Sequence, residues 1–341
     1  MLISRTPFRI SFVGGGSDLP SFCDRQPGAV LSVSIDKAMY LTLHPYFDRS
    51  KSLLRYSRTE LVDSLEAIEH PIYREAMRMM GVCGGVEISS SADIPSGTGL
   101  GSSSSFTVGL LHVLSAFRAK HPSREFLAAG ASDLEICKLG EPIGRQDQYA
   151  AAYGGLNVIE FYAGGEVRVE PLTIRRETLA ALEERILMFY TGGQRATRTI
   201  LADQSQGVAD EDAKFQATAK MVQLVYEMRE ALYAGDLNAF GEILHRNWEL
   251  KRGLSKHISN PEVDEAFEKA LAAGARGGKL LGAGGGGFLL VFAEPHMHGS
   301  VRSALSHMSE LQVGFSTSGS QIIYSDGVVE GVGSGFVGNS N

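Results

Sequence analysis

The chain has no surplus of positive charge, no long apolar run and very little cysteine or tryptophan. Each absence narrows what it can do. Lys and Arg number 32 against 39 Asp and Glu, a net charge of −7, so there is no electrostatic footprint for nucleic acid or for an anionic membrane. None of the 341 residues belong to a stretch apolar enough to span a bilayer, and Met1–Ser11 lacks the apolar core of a signal peptide. The three cysteines, Cys23, Cys83 and Cys137, have no metal-like spacing and leave an odd thiol, which suits a reducing compartment. The nine histidines form no close ligand cluster. A cytoplasmic protein is expected, with neither nucleic acid nor membrane as a partner.

Glycine, by contrast, is abundant, with 40 residues, and much of it lies in short runs. The most informative run is Pro95-Ser-Gly97-Thr-Gly99-Leu100-Gly101-Ser102-Ser103-Ser104-Ser105, between a strand-like Val86–Ser90 and an apolar helical pattern from Phe106 to Phe117. Glycines let the backbone bend sharply and approach a ligand without a Cβ. Serines then open a helix whose first N–H groups have no internal partner, and these donors sit at the positive end of the helix dipole. Together they predict a phosphate cradle. It is not a Walker A loop, because no Gly-Lys-Ser/Thr closes it. With no lysine nearby, backbone amides, hydroxyls and a metal must neutralise the phosphates.

Two further glycine sites stand apart. Gly282-Ala-Gly284-Gly285-Gly-Gly287 fits G-x-G-x-x-G as letters. A dinucleotide fingerprint needs a strand before it and a helix after it, and here the order is reversed. Its bare backbone packs against a ligand or the first glycine loop, or it is a tight connection. Gly14-Gly15-Gly16-Ser17-Asp18 follows the strand Phe8–Val13 and offers acceptors suited to sugar hydroxyls. Ser17 or Asp18 could equally cap a helix starting at Pro20.

Patterning predicts strands at Val30–Ile35 and Met39–His44 and a helix over Glu60–Met80 interrupted at Pro71. A second helix is expected over Arg124–Leu139, then a hairpin from Asn157 through Gly164-Gly165 to Val169. The second half should begin with a strand at Arg185–Tyr190. A helical section, Ala196–Lys251, follows, broken at Gly207 and Gly235-Asp236. A helix from Pro261, the strand Phe288–Phe292, a helix Pro295–Met308 and a strand Gln321–Tyr324 complete the reading. Two domains are expected, 1–175 and 176–327, with a tail over 328–341.

Two acids complete the set. Asp147, in Gly144-Arg145-Gln146-Asp147-Gln148-Tyr149, could take a proton from an acceptor hydroxyl. Glu135, on the preceding helix, could hold magnesium.

Taken in order, these segments resemble the GHMP kinases, named for galactokinase, homoserine kinase, mevalonate kinase and phosphomevalonate kinase. The resemblance runs from Pro7 to Tyr324, with Pro95–Ser104 matching the family's phosphate loop and Lys279–Phe292 its C-terminal glycine motif. The Gly14–Asp18 and Gly144–Tyr149 motifs are similar to those of the heptose 7-phosphate kinase branch, and fucose kinases have a related version. Galactokinases have Gly-Glu-His-Thr-Asp at the first motif, which argues against galactose.

The resemblance implies an α+β fold. Its first domain would be ribosomal-protein-like with a left-handed βαβ crossover, and its second domain ferredoxin-like. Asp147 and Arg9 would be catalytic. Pro95, Gly97, Gly99, Leu100, Gly101, Ser102, Ser103 and Ser104 would bind ATP. Ser103 and Glu135 would bind Mg²⁺, and Gly15, Gly16, Ser17, Asp18, Gly284 and Gly285 the acceptor. The implied reaction is ATP-dependent phosphorylation of a phosphorylated sugar, at C1 of D-glycero-D-manno-heptose 7-phosphate, for surface polysaccharide. Fucose or another acceptor, or a non-catalytic sugar sensor, are the rivals. Cations available for a distal phosphate are Arg145, Arg195, Arg198, Lys251 and Arg252. A homodimer is compatible with the sequence but not specified by it.

Overall fold

A computed structural model describes residues 1–192 and 197–327, apart from the side chains of 197 and 198. The expected tail at 328–341 and Arg195 lie outside the described residues.

β1 (Leu2–Val13) and β2 (Gly28–Pro45) form the spine of the larger sheet and run antiparallel along most of their length. The two strands expected at Val30–Ile35 and Met39–His44 are one strand of 18 residues. The polar pair Asp36-Lys37 reads as a break, but the backbone stays extended there and only the neighbour changes. Gly28–Val33 pairs with β6 (Leu156–Phe161), and Met39–Pro45 pairs with β5 (Val86–Ala92). β3 (Ser52–Arg55) joins β5 in parallel, β4 (Thr59–Val62) lies outside β3, and β7 (Val167–Pro171) completes the expected hairpin with β6.

The helix expected over Glu60–Met80 is only its second half. Residues 59–62 are strand, and Pro71 opens a helix (Pro71–Met80) instead of interrupting one. Proline has no N–H for a helix interior but fits a first turn. We number the short helix Pro20–Cys23 α1 and this one α2. α3 (Ser102–Phe117) is buried on almost every side, packed on β1 and β2 and flanked by α2, α4 (Arg124–Ser132) and α5 (Gln146–Tyr153). The helix expected to continue to Leu139 changes character at Asp133, where Asp133–Lys138 form a π-helical turn.

After α6 (Arg176–Glu184), a second antiparallel sheet has the order β11-β8-β10-β9. Its strands are β8 (Ile186–Tyr190), β9 (Ala275–Leu280), β10 (Phe288–Ala293) and β11 (Ser309–Glu310). It is accompanied by α7 (Thr197–Asp210), α8 (Asp212–Ala234), α9 (Leu237–Arg252), α10 (Pro261–Ala272) and α11 (His298–Ala304). Gly207 lies inside α7, and the break falls at Glu211 instead. The Asp236 carboxylate accepts from Ala239 N at 3.0 Å, and Asn260 Oδ1 accepts from Val263 N at 2.9 Å. Both are N-caps.

β12 (Phe315–Ser316) pairs with β2, and β13 (Gln321–Ser325) pairs with β1. The expected second domain, 176–327, is therefore not one continuous unit, because its last strands return to the first sheet. β13 fills an edge of β1 whose N–H and C=O groups would otherwise be open for pairing.

Two apolar clusters form the core, and α9 serves both. Phe240 and Leu244 pack in the first with β1, and Trp248 packs in the second with Phe267. Phe12 and Phe240 meet edge to face with centroids 5.1 Å apart. One helix thus locks the two halves together beside the cleft.

Candidate active site

A cleft of about 280 Å³ lies where the first glycine loop, the Gly14–Asp18 loop, the start of α5 and the C-terminal glycine loop converge. Gly97, Gly99 and Gly101 have φ of 79°, 84° and 77°, a region that side chains disfavour. Close approach adds to this requirement. A Cβ on Gly99 would lie 2.5 Å from Leu281 O, one on Gly282 2.5 Å from Gly99 Cα, and one on Gly287 2.5 Å from Thr98 O. The C-terminal loop therefore packs backbone to backbone on the first loop, one of the readings its sequence left open.

Not every expected contact faces the cleft. Gly282 and Ala283 line it, whereas Gly284 and Gly285, expected at the acceptor, do not. A Cβ on Gly284 would strike Ile258 O at 2.5 Å, and Gly285 N donates to the same oxygen at 2.9 Å. Pro95 and Leu100, expected to touch ATP, do not line the cleft. Pro95 O accepts from Thr98 Oγ1 at 3.1 Å, and Leu100 is buried in the apolar core. Ser17 also turns away from the cleft. Its hydroxyl donates to Gly14 O (2.8 Å) or Ala29 O (3.0 Å) and accepts from Ala29 N at 3.0 Å.

Gly101 is the N-cap of α3, and Ser102, Ser103 and Ser104 line the cleft at that helix start. The serine run divides its work. Ser103 Oγ and Ser104 Oγ donate to Glu135 Oε1 and Oε2, both at 3.0 Å, and Ser105 Oγ donates to Pro7 O at 2.8 Å. Glu135 projects from the π-helical turn and also accepts from Gln148 Nε2 at 2.6 Å. Burial pushes its carboxyl above the ordinary range, against the pull of these hydrogen bonds. A carboxylate beside serine hydroxyls is the hard-oxygen chemistry that magnesium takes. Among the described residues no group of three or more His, Cys, Asp or Glu could hold a metal. A cation at Ser103 and Glu135 would therefore complete its shell with phosphate oxygens and water, as magnesium commonly does.

Arg9 is 5% exposed and reaches across from β1. Its Nε donates to Asp147 Oδ1 at 2.8 Å, Nη2 to Oδ2 at 2.7 Å, and Nη1 to Gly99 O at 2.7 Å. This two-pronged pair fixes the orientation of Asp147, which lies in the first turn of α5 and opens on the cleft. A Cβ on Gly101 would come within 3.3 Å of Asp147 Oδ2, so the carboxylate abuts the phosphate loop.

Asp18 is buried and accepts from Gly16 N at 3.2 Å and from Gln146 N and Nε2, each at 3.1 Å. Burial and, secondarily, the neighbouring Asp147 charge raise its carboxyl, opposed by these backbone hydrogen bonds. A Cβ on Gly144 would stand 1.9 Å from Asp18 Oδ2, which is why the Gly-Arg-Gln-Asp motif begins with glycine. Gly15 and Gly16 line the cleft.

Ser11 and Gln204 were not singled out by the sequence. Both residues line the cleft, and Ser11 Oγ and Gln204 Nε2 are buried with no hydrogen-bond partner among the described residues. Gln204 is 1% exposed, and Gly16 leaves room for it: a Cβ there would be 2.0 Å from Nε2. In sequence Gln204 is one polar residue in a polar helix. Only its buried, unpaired state distinguishes it.

Of the cations considered for a distal phosphate, Arg252 pairs with Glu249 (3.2 Å) and Asp264 (3.5 Å), and Arg145 Nη1 donates to Gly165 O at 2.5 Å. Neither lines this cleft. The Arg198 side chain lies outside the described residues, as Arg195 does. Lys251 does line the cleft, as does Lys279, which donates to Ser11 O at 2.8 Å and Phe12 O at 2.9 Å.

No helix among the described residues is long and apolar enough to cross a membrane. The family model for the N-terminal domain of GHMP kinases matches residues 65–155, and that for their C-terminal domain matches 228–309. The chain is 30% identical over 306 residues to D-glycero-alpha-D-manno-heptose 7-phosphate kinase of Campylobacter jejuni, covering 86% of this chain and 89% of the relative. It is 28% identical over 312 residues to the bifunctional fucokinase/GDP-fucose pyrophosphorylase of Arabidopsis thaliana, covering 84% of this chain and 29% of that longer protein. A solved D-glycero-D-manno-heptose 1-phosphate kinase from Bacteroides thetaiotaomicron superposes with a TM-score of 0.79 at 26% identity, covering 95% of this chain and 100% of that one. The first family match spans the phosphate loop, Glu135 and Asp147, and the second spans Lys251 and the glycine loop packed on it. The chain therefore belongs to the GHMP kinases and is an ATP-dependent sugar kinase.

Proposed function

We propose that the acceptor is D-glycero-D-manno-heptose 7-phosphate and that the γ-phosphoryl group of ATP passes to its C1 hydroxyl, giving the 1,7-bisphosphate. The observation behind this reading is the Arg9–Asp147 pair at the junction of the two loops, with Arg9 also bonded to Gly99 O. Asp147 takes the proton of the C1 hydroxyl as its oxygen bonds to the γ-phosphorus. The bond from that phosphorus to the β-γ bridging oxygen breaks, and ADP leaves. The glycine loop and the start of α3 hold the phosphates, and Arg9 keeps the base oriented. Ser103 and Glu135 would hold Mg²⁺, which offsets charge on the β- and γ-phosphates when bound. Positioning and charge stabilisation supply most of the catalysis in phosphoryl transfer.

At the acceptor end, Gln204 Nε2 and Ser11 Oγ would donate to sugar oxygens, since each is buried without a partner and such groups gain most from a ligand. The heptose assignment draws on the Campylobacter relative and on the Gly14–Asp18 and Gly144–Tyr149 motifs.

Phosphorus NMR of the protein with ATP, Mg²⁺ and heptose 7-phosphate should show a new anomeric phosphate while the C7 signal persists. Fucose phosphorylated in preference to the heptose would replace this acceptor with the runner-up.

A further inference from the structure

We propose that Lys251 is the γ-phosphate-binding cation that the phosphate loop lacks, supplied by a helix roughly 150 residues further along the chain. It lies in the last turn of α9, 4% exposed, and lines the same cleft as Gly97, Gly99, Gly101 and the α3 serines. Its Nζ donates to Gly282 O at 2.5 Å. Gly282 is packed on Gly99, so this carbonyl places the ammonium at the phosphate loop itself.

The contrast with Lys279 separates a structural lysine from a binding one. Lys279 is anchored by two carbonyls of β1. Among the described residues Lys251 has one hydrogen-bond partner for three N–H donors, and an ammonium confined in this way is costly unless an anion completes its shell. Facing it are Arg9 from β1, Asp18 from the loop after β1, Asp147 from α5 and Lys279 from β9. Arg9 and Asp147 neutralise one another as an ion pair, which leaves Asp18 as the remaining carboxylate facing Lys251.

Helix geometry explains how the side chain arrives there. Asn247 and Lys251 lie four residues apart on one face of α9. Asn247 Oδ1 accepts from Gly14 N at 3.1 Å, so the same face grips both the acceptor loop and the C-terminal glycine loop. Burial lowers the lysine to about 8, with repulsion from Arg9 adding to it and Asp18 and Asp147 opposing it. Its charge is present below that value and lost above it.

The test needs no acceptor, so it stands apart from the heptose assignment. Binding of ADP and of a non-hydrolysable ATP analogue is measured calorimetrically with Mg²⁺ for the wild type, Lys251→Met and Lys251→Arg. The wild type should prefer the triphosphate. Lys251→Met should lose about tenfold or more of that preference with ADP affinity within about twofold, as expected for a charge-assisted hydrogen bond, and Lys251→Arg should keep most of it. If Lys251→Met does not fold, the wild type still decides, because its triphosphate preference should shrink as pH rises from about 7.5 to 9.5. An unchanged preference in Lys251→Met, or a flat wild-type pH series, overturns the proposal.

Discussion

The two ends of the cleft are built in opposite ways. The end proposed for the nucleotide is mostly local, since residues 97–105 bend, present amides and start a helix within one short segment. The end proposed for the acceptor is assembled from a distance: Ser11 comes from β1, Asp18 from the loop after it, Gln146 from α5, and Gln204 from α7. Every nucleotide presents the same phosphates, and a local backbone geometry can read them. A particular sugar is defined by hydroxyls spread in three dimensions, which only side chains converging from several elements can match.

The first way to sharpen this comparison is Asp147→Asn, which sits at the junction of the ends and should affect neither binding step. Turnover should fall by roughly two to four orders of magnitude with nucleotide affinity nearly unchanged. Steady-state kinetics with nucleotide titration check this, and wild-type turnover would remove Asp147 from the chemistry.

Gln204→Leu tests whether the ends are separable. Acceptor KM should rise about tenfold while ATP KM and melting temperature stay close to wild type. A change confined to ATP KM would mean that Gln204 belongs to the nucleotide end.

The smallest expected effect concerns Glu135. Burial raises its folded-state pKa, so the native state holds the proton more tightly than the unfolded chain does. This contribution to stability therefore declines as pH rises from the unfolded value, about 4.3, through the raised native one. Glu135→Gln should flatten that decline and raise the melting temperature near pH 8. The Gln148 side chain can turn its unpartnered Oε1 toward the new amide. A melting temperature below wild type at that pH would show that the charge is stabilising in place.

Secondary structure was legible at several local cues. Pro261 after Asn260, Asp236 before α9 and the Gly164-Gly165 hairpin all occur where the residues suggest. Reading failed where a residue type has two meanings. Pro71 begins a helix as readily as it breaks one, and Asp36-Lys37 marks a change of strand partner without ending the strand. The π-helical turn that aims Glu135 has no sequence cue in a run that reads as ordinary helix.

Within the site, the glycine and acidic motifs were visible because their chemistry is unusual in itself. Their division of labour was not: Ser17 staples its own loop, and Gly284 and Gly285 pack on Ile258. Spacing alone cannot tell which side of a loop faces a ligand.

The amino-acid sequence by itself determined a glycine-serine turn at a helix start, because positive φ and free helix N–H groups are properties of a few adjacent residues. Only the tertiary structure decided which lysine lies beside that turn. Lys251 reaches the loop because α9 packs into both cores and turns one face toward the cleft, and no local pattern encodes such a long-range meeting.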